Sequence, residues 1–172
     1  MMNRQMLDGM WQHMRSKYGI YLRVLDAIPA EQFDAHPIPG MRTPTQLVVH
    51  TSGSIVRDIA EGVASGSIKA DEAGEDAVAG TLASKDAVIE YARTCWERAD
   101  AAIAAVDDEK LSGEVANPWG LAGLTGTFAM AVLNDEFMHH RGQLFAYARA
   151  CGVEPPFMWG FGDNPDGFRP TG

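Results

Sequence analysis

A glutamate and a histidine lie one helical turn apart in the segment NDEFMHHRGQL at residues 134–144. Glu136 and His140 are four residues apart, a spacing that places both side chains on the same face of a helix. Apolar residues share that face, and an ionised carboxylate among them is costly unless it is paired or bound to a cation. Carboxylate oxygen and neutral imidazole nitrogen are common ligands of divalent metal ions. The pair therefore predicts a metal site.

A third ligand has to come from another element, and His50 is the best candidate. The preceding segment, TPTQLVVH at residues 43–50, has a strong helix start. Thr43 supplies an N-cap hydroxyl, Pro44 fits the first helical position, and Gln46 completes a capping box. The apolar spacing that follows places His50 on the inward stripe. Taken alone, His50 is better explained as a hydrogen-bonded core histidine, so its assignment as a ligand needs further support.

Four long helices are predicted to position these residues. Their expected ranges are about 3–25, 43–62, 84–106, and from Thr125 or Thr127 to Cys151. Each has apolar residues at steps of three and four, and a capping residue at its start. With no convincing strand between them, the sequence predicts an all-α four-helix bundle with long connections and an irregular C-terminal tail.

Several details of this bundle are expected from the spacing. The inward stripe of the first helix is predicted to begin with Met6 and Met10, and residues 64–83 are expected to form a lid or a short helix. Gly142, in mid-helix, predicts close helix packing. Arg141 and Gln143 are expected on a solvated face, with a contact to the metal ligands as the alternative. The tail aromatics are expected to dock on the bundle, and they are Phe157, Trp159, Phe161 and Phe168.

Composition limits the function classes. The 172 residues fit one domain, expected to span 1–172, and a net charge of −9 argues against binding nucleic acid. No apolar run approaches the 18 residues or more that a membrane span needs, and the N-terminus lacks the pattern of a signal peptide. The two cysteines, Cys95 and Cys151, form no paired motif and are expected to be reduced. We therefore expect a cytoplasmic protein.

The segments TPTQLVVH and HHRGQL, in this helix order, resemble those of the DinB-like superfamily of bacterial metal-binding bundles. The resemblance extends over the whole chain and includes the two prolines after the last helix. It implies metal ligands at His50 and His140, which match the family pattern. It also implies one divalent ion, zinc or nickel, and a homodimer.

The chain departs from that pattern at one position, because Glu136 stands where the family usually has a histidine. Glutamate is itself a ligand and favours a harder ion, which gives a site of two histidines and one carboxylate. The alternatives are a weakened or lost site, with Glu136 paired to Arg141 or His139. His139 lies about 100° around the helix from His140, so the two are not expected to bind one ion.

What the resemblance implies about function is a choice among activities. The first is a metal-dependent enzyme that transfers a low-molecular-weight thiol to a small-molecule substrate. Alternatives are a metal-dependent hydrolase, a non-catalytic metal-binding or ligand-binding stress protein, and a structural bundle that has lost its metal. An ion with three protein ligands and open positions favours the enzyme, because such ions acidify a bound water or thiol.

Overall fold

Residues 2–170, the part that the computed structural model describes, contain helices and irregular connections but no β-strand. Four long helices are joined by connections that contain two short ones. None of the helices in residues 2–170 is apolar over enough of its length to cross a membrane. The helices are α1 (Arg4–Ala27), α2 (the consecutive segments Pro44–Val48, Val49–Arg57 and Asp58–Ser65), α3 (Glu75–Ala79), α4 (Lys85–Ala104), α5 (Asp108–Ser112) and α6 (Gly126–Ala150). The all-α prediction is confirmed.

The predicted helix starts are confirmed by their side-chain caps. Thr43 Oγ1 accepts from the Gln46 amide, and Gln46 Oε1 accepts from the Thr43 amide, which completes the capping box of α2. Asn3, Ser84 and Thr125 cap α1, α4 and α6 in the same way. These bonds satisfy amide groups that the first turn of a helix leaves free, and they fix where each helix begins.

The middle segment of α2, Val49–Arg57, is a π-helix, which the sequence pattern does not predict. It contains His50, and π-helical turns occur frequently at functional sites. Gly53 lies in the same segment, and a Cβ added there would lie 2.4 Å from the Tyr91 hydroxyl of α4. A glycine at this position therefore allows α2 and α4 to approach closely.

A single hydrophobic cluster joins the four long helices. Helices α1 and α2 each contact both α4 and α6. A buried hydroxyl network links them at the centre, where the Tyr18 hydroxyl hydrogen-bonds with Ser52 Oγ at 2.9 Å and the Ala92 carbonyl at 2.8 Å. Because Ser52 follows His50 in the π-helical segment, this network also anchors the part of α2 that carries the histidine.

Three expectations about packing were wrong. The inward stripe of α1 begins with Leu7 and Trp11, which are buried, whereas Met6 is 57% exposed. Of the tail aromatics, Phe168 docks on the core, but Phe157 and Trp159 point to solvent. Gly142 is exposed, and a Cβ added there would meet nothing within 4 Å. Helix packing therefore does not explain that glycine.

Candidate metal centre

The two histidines predicted as ligands meet in the structure. His50, on the π-helical segment of α2, and His140, in the interior of α6, have ring centroids 4.7 Å apart and perpendicular ring planes. Both residues are buried, with 7% and 5% of their surfaces exposed. The helices α2 and α6 contact each other along this region. The sequence prediction that these residues share one site is therefore consistent with the fold.

A side-chain hydrogen bond fixes the tautomer of His140. Its Nδ1 lies 2.9 Å from Gln143 Oε1, an amide oxygen that can only accept, so Nδ1 carries the proton. The other nitrogen, Nε2, is left with its lone pair, and it is buried with no hydrogen-bond partner in the described structure. Such a nitrogen is a ready metal donor.

The surroundings of His140 favour the neutral form of its ring. Burial is the largest effect and lowers the pKa of His140 from its ordinary value. The nearby rings of His50 and His139 lower that pKa further, while the hydrogen bond to Gln143 and the charge of Glu136 oppose them. Neutral imidazole is the form that binds a metal ion, so burial helps to prepare His140 as a ligand.

Glu75 orients the ring of His50 through Nδ1, as Gln143 orients the ring of His140. Its Oε1 accepts from His50 Nδ1 at 2.7 Å and from the Ser54 hydroxyl at 2.6 Å. Arg42 lies 3.9 Å from its second oxygen, and the carboxylate is buried. The second ring nitrogen of His50 makes no hydrogen bond within residues 2–170. A carboxylate that orients a histidine through Nδ1 is the usual outer partner of a metal-binding imidazole.

Sequence reasoning missed Glu75. It lies in the connection 64–83, where the expectation of a short helix is confirmed by α3. Its local sequence, EAGEDAV, places it among several acidic residues with nothing to distinguish it. Only the return of α3 against α2 brings it to His50. Because Glu75 lies 25 residues after His50, no helical periodicity links the two residues in the sequence.

Glu136 lies next to His140 on the solvent-exposed side of the candidate metal centre. Its Oε2 is 3.4 Å from His140 Nε2, and 47% of its side chain is exposed. Two ligands of a tetrahedral ion with bonds of about 2.0–2.2 Å lie about 3.4 Å apart, so this spacing suits a shared ion. The alternative pairing of Glu136 with Arg141 or His139 is not the contact that the structure contains.

As the side chains stand, no three His, Cys, Asp or Glu residues within residues 2–170 surround a point with complete metal-binding geometry. The donor set still fits a divalent ion, since it offers the free Nε2 of His140, the second nitrogen of His50 and a partly exposed carboxylate. The two nitrogens are held by hydrogen bonds, while Glu136 is free to turn towards them. Two imidazoles and one carboxylate form a common site for zinc and related ions.

The other polar residues of the motif have distinct positions. His139 is exposed, and its Nε2 accepts from the Gln143 amide at 3.1 Å, so Gln143 contacts both histidines rather than facing solvent alone. Arg141 is buried, which contradicts the expected solvated position. Neither His13 nor His36 lines this site.

A cavity of about 510 Å³ opens in front of the two histidines. Ile55 of α2 and Val132 of α6 form part of its apolar wall, and Trp119 and Leu121 extend that wall from the loop before α6. The Asn117 side chain braces this loop by bonding both the amide and the carbonyl of Leu121. The rim carries charges of both signs, with Arg42 and Glu72 among its residues. A small amphipathic molecule would fit this cavity.

Comparison with known families gives one finding. The family model of the DinB superfamily matches residues 14–144, well over half of the chain. The matched range contains His50, Glu75, Glu136 and His140. The comparison with curated proteins gives no match.

The lowered pKa of His140 predicts how the metal-free protein responds to acid. The unfolded chain takes up a proton near the ordinary value of 6.5, whereas the folded chain resists it to lower pH. The contribution of His140 to stability is therefore present above 6.5 and is lost as pH falls through the folded pKa. We expect His140→Asn to have a smaller loss of unfolding free energy than wild type when pH falls from about 7.5 to about 5.

Urea unfolding at each pH, in the presence of a chelator, measures this difference. His36→Asn, which replaces an exposed histidine that does not line the cavity, serves as the control and should retain the wild-type slope. Parallel slopes for wild type and His140→Asn would contradict the role assigned to burial.

Proposed function

The chain belongs to the DinB superfamily, and from that premise we propose that it is a metal-dependent enzyme whose ion is held by His50, His140 and Glu136. The proposed reaction is the transfer of a low-molecular-weight thiol to a small electrophilic substrate. The observation that carries the proposal is the pair of buried histidines whose Nδ1 atoms are both engaged by acceptors. Each ring thereby offers its other nitrogen as a metal donor.

A divalent ion bound there would lower the pKa of a thiol at an open coordination position and so supply a thiolate near neutral pH. His50 and His140 would hold the ion as neutral donors, and Glu136 would add one negative charge. Glu75 and Gln143 would keep the two rings in place through Nδ1. Because both bonds lie on the far side of the rings, they need not break when a ligand enters the cavity.

The cavity supports a small substrate with one charged and one apolar end. Arg42, whose side chain is 45% exposed, lies on the rim and suits the carboxylate that small biological thiols commonly carry. Trp119 and Leu121 offer an apolar surface for the acceptor molecule. In the transfer, the thiolate sulfur forms a bond to an electrophilic carbon, and the leaving group departs with the electron pair of the bond that breaks. The thiol proton passes to solvent.

Two expectations from the resemblance stay predictions. They are the identity of the ion as zinc or nickel, and assembly into a homodimer. Exposed apolar side chains at the tail, Phe157 and Trp159, are compatible with an additional contact but do not select a partner. A metal-dependent hydrolase would use the same ligands with water in place of the thiol, and no contact in the cavity favours it over thiol transfer.

The proposal is tested first by metal binding and thiol transfer measured on the same preparations. Wild type should bind one equivalent of Zn²⁺ or Ni²⁺, and the loaded protein should accelerate displacement of bromide from monobromobimane by cysteine. His50→Ala and His140→Ala should each lose metal affinity by well over tenfold, together with the acceleration, because each removes a ligand. His13→Ala, at an exposed histidine of α1, is the matched control and should behave as wild type.

Different results would overturn different parts of this proposal. Unchanged metal affinity in His140→Ala would refute the ligand assignment. Tight metal binding without any acceleration, with several thiols and with ester substrates, would support a non-catalytic metal-binding protein instead. Absence of metal binding by wild type would support a structural bundle that has lost its ion.

The role of Glu75 gives a second prediction. Glu75→Gln removes the charge that accepts from His50 Nδ1 and Ser54 while keeping the shape of the side chain. Loss of such an outer partner commonly costs about 10–100-fold in metal affinity or activity. We expect a fall of that size in competition titrations with a chromophoric chelator. Glu72→Gln, on the cavity rim in the same connection, should leave the affinity unchanged. Equal effects of the two variants would mean that Glu75 acts only through the net charge of the cavity.

A further inference from the structure

Arg141 is a buried arginine without an acidic partner among residues 2–170. Only 5% of the residue is exposed, and its Nη1 has no hydrogen-bond partner in the described structure. A guanidinium group stays charged in proteins, and a buried charge without a partner is strongly unfavourable. The position therefore raises the question of what normally compensates this charge.

Other partly buried arginines of the chain do have partners. Arg15 lies 2.7 Å from Asp100, and Arg57 lies 2.6 Å from Asp58. Arg141 instead has the ring of Phe145 5.9 Å from its guanidinium carbon. A cation–π contact of this kind stabilises the protein by less than the cost of burying an unpaired ion. Local packing thus leaves Arg141 uncompensated.

Phe137, one turn before Arg141, packs on Tyr18 of α1, and the charged groups next to Tyr18 on that helix are also basic. Lys17 is half-buried and donates to Asn134 Oδ1 at 3.4 Å, and Asn134 lies two helical turns before Arg141 on α6. Burial, and then the charge of Arg141, lowers the pKa of Lys17. His13, one turn before Lys17, is near enough for both cations to act on its pKa, after the larger effect of burial. Positive charge therefore collects between α1 and α6 in a chain whose net charge is −9.

We propose that Arg141, Lys17 and Asn134 form a binding site for a phosphate-type dianion between α1 and α6. Two fixed positive charges, with a third when His13 is protonated, match a dianion better than a single carboxylate. The planar fork of arginine binds two oxygens of a phosphate group at once, and lysine adds a point charge. Free phosphate and the phosphate group of a small metabolite share this chemistry.

This site is separate from the candidate metal centre. Arg141 follows His140 directly, but consecutive helical residues point about 100° apart. The ring of His140 meets His50 of α2, while Phe137, one turn before Arg141, packs on Tyr18 of α1. The anion site does not depend on a bound metal ion, so the two proposals can fail independently.

The test is calorimetric titration of the full-length, metal-free protein with inorganic phosphate. Sodium acetate and sodium chloride at the same ionic strength give the comparison, and glycerol 3-phosphate distinguishes a metabolite from the free ion. We expect saturable binding of phosphate, much weaker binding of acetate and none of chloride. Arg141→Gln and Lys17→Gln should each raise the Kd about tenfold or more, as expected for loss of a charged hydrogen bond. Tighter binding of glycerol 3-phosphate would identify an ester as the better ligand, and weaker binding the free ion.

Arg149→Gln is the matched control, because it removes the same charge from an exposed position on α6 that pairs with Glu154. Its Kd should equal that of wild type. Lys17→Gln, at a half-buried position, keeps the test valid if Arg141→Gln fails to fold. Equal heats from phosphate and chloride, or the same loss in Arg149→Gln as in Lys17→Gln, would overturn the proposal. Zn²⁺ binding by each variant, measured in a separate titration, reports on the metal centre.

Discussion

Two hydrogen bonds donated by the Nδ1 atoms of buried histidines are the interaction on which the candidate site depends. Glu75 accepts the bond from His50, and Gln143 accepts the bond from His140. Without them each ring could turn or change tautomer, and the nitrogens available for a metal ion would not be defined. With them, both rings are oriented before any ligand arrives, which lowers the cost of assembling the site.

The rest of the fold can be understood as the scaffold of these two bonds. The π-helical segment of α2 carries His50, and Ser52 in the same segment is tied to Tyr18 at the centre of the core. The short helix α3 brings Glu75 back against α2. On α6 the bond from His140 to Gln143 lies within one helix and needs no tertiary support. The His50 half of the site therefore depends on long-range packing, whereas the His140 half is local.

The same difference explains what the sequence could predict. Three candidate ligands of one site could be identified from the sequence. The identification used the spacing of Glu136 and His140, the capping box before His50 and the family resemblance. Features without a periodic sequence pattern were missed. They are the contact of Glu75 with His50, the π-helical segment and the buried position of Arg141. Periodicity identifies a helix face but not which neighbour covers it, and for this reason Arg141 was wrongly expected on a solvated face. The expected packing of Gly142 was wrong for the same reason, since no atom of residues 2–170 lies within 4 Å of a Cβ added there.

The most direct test of this account is the protonation of the two rings in the metal-free protein. Nitrogen-15 NMR of the histidine side chains, at neutral pH and with a chelator present, distinguishes Nδ1 from Nε2 protonation. We expect that His50 and His140 both carry their proton on Nδ1 and leave Nε2 without a proton. A proton on Nε2 of either ring, or a doubly protonated ring at neutral pH, would contradict it.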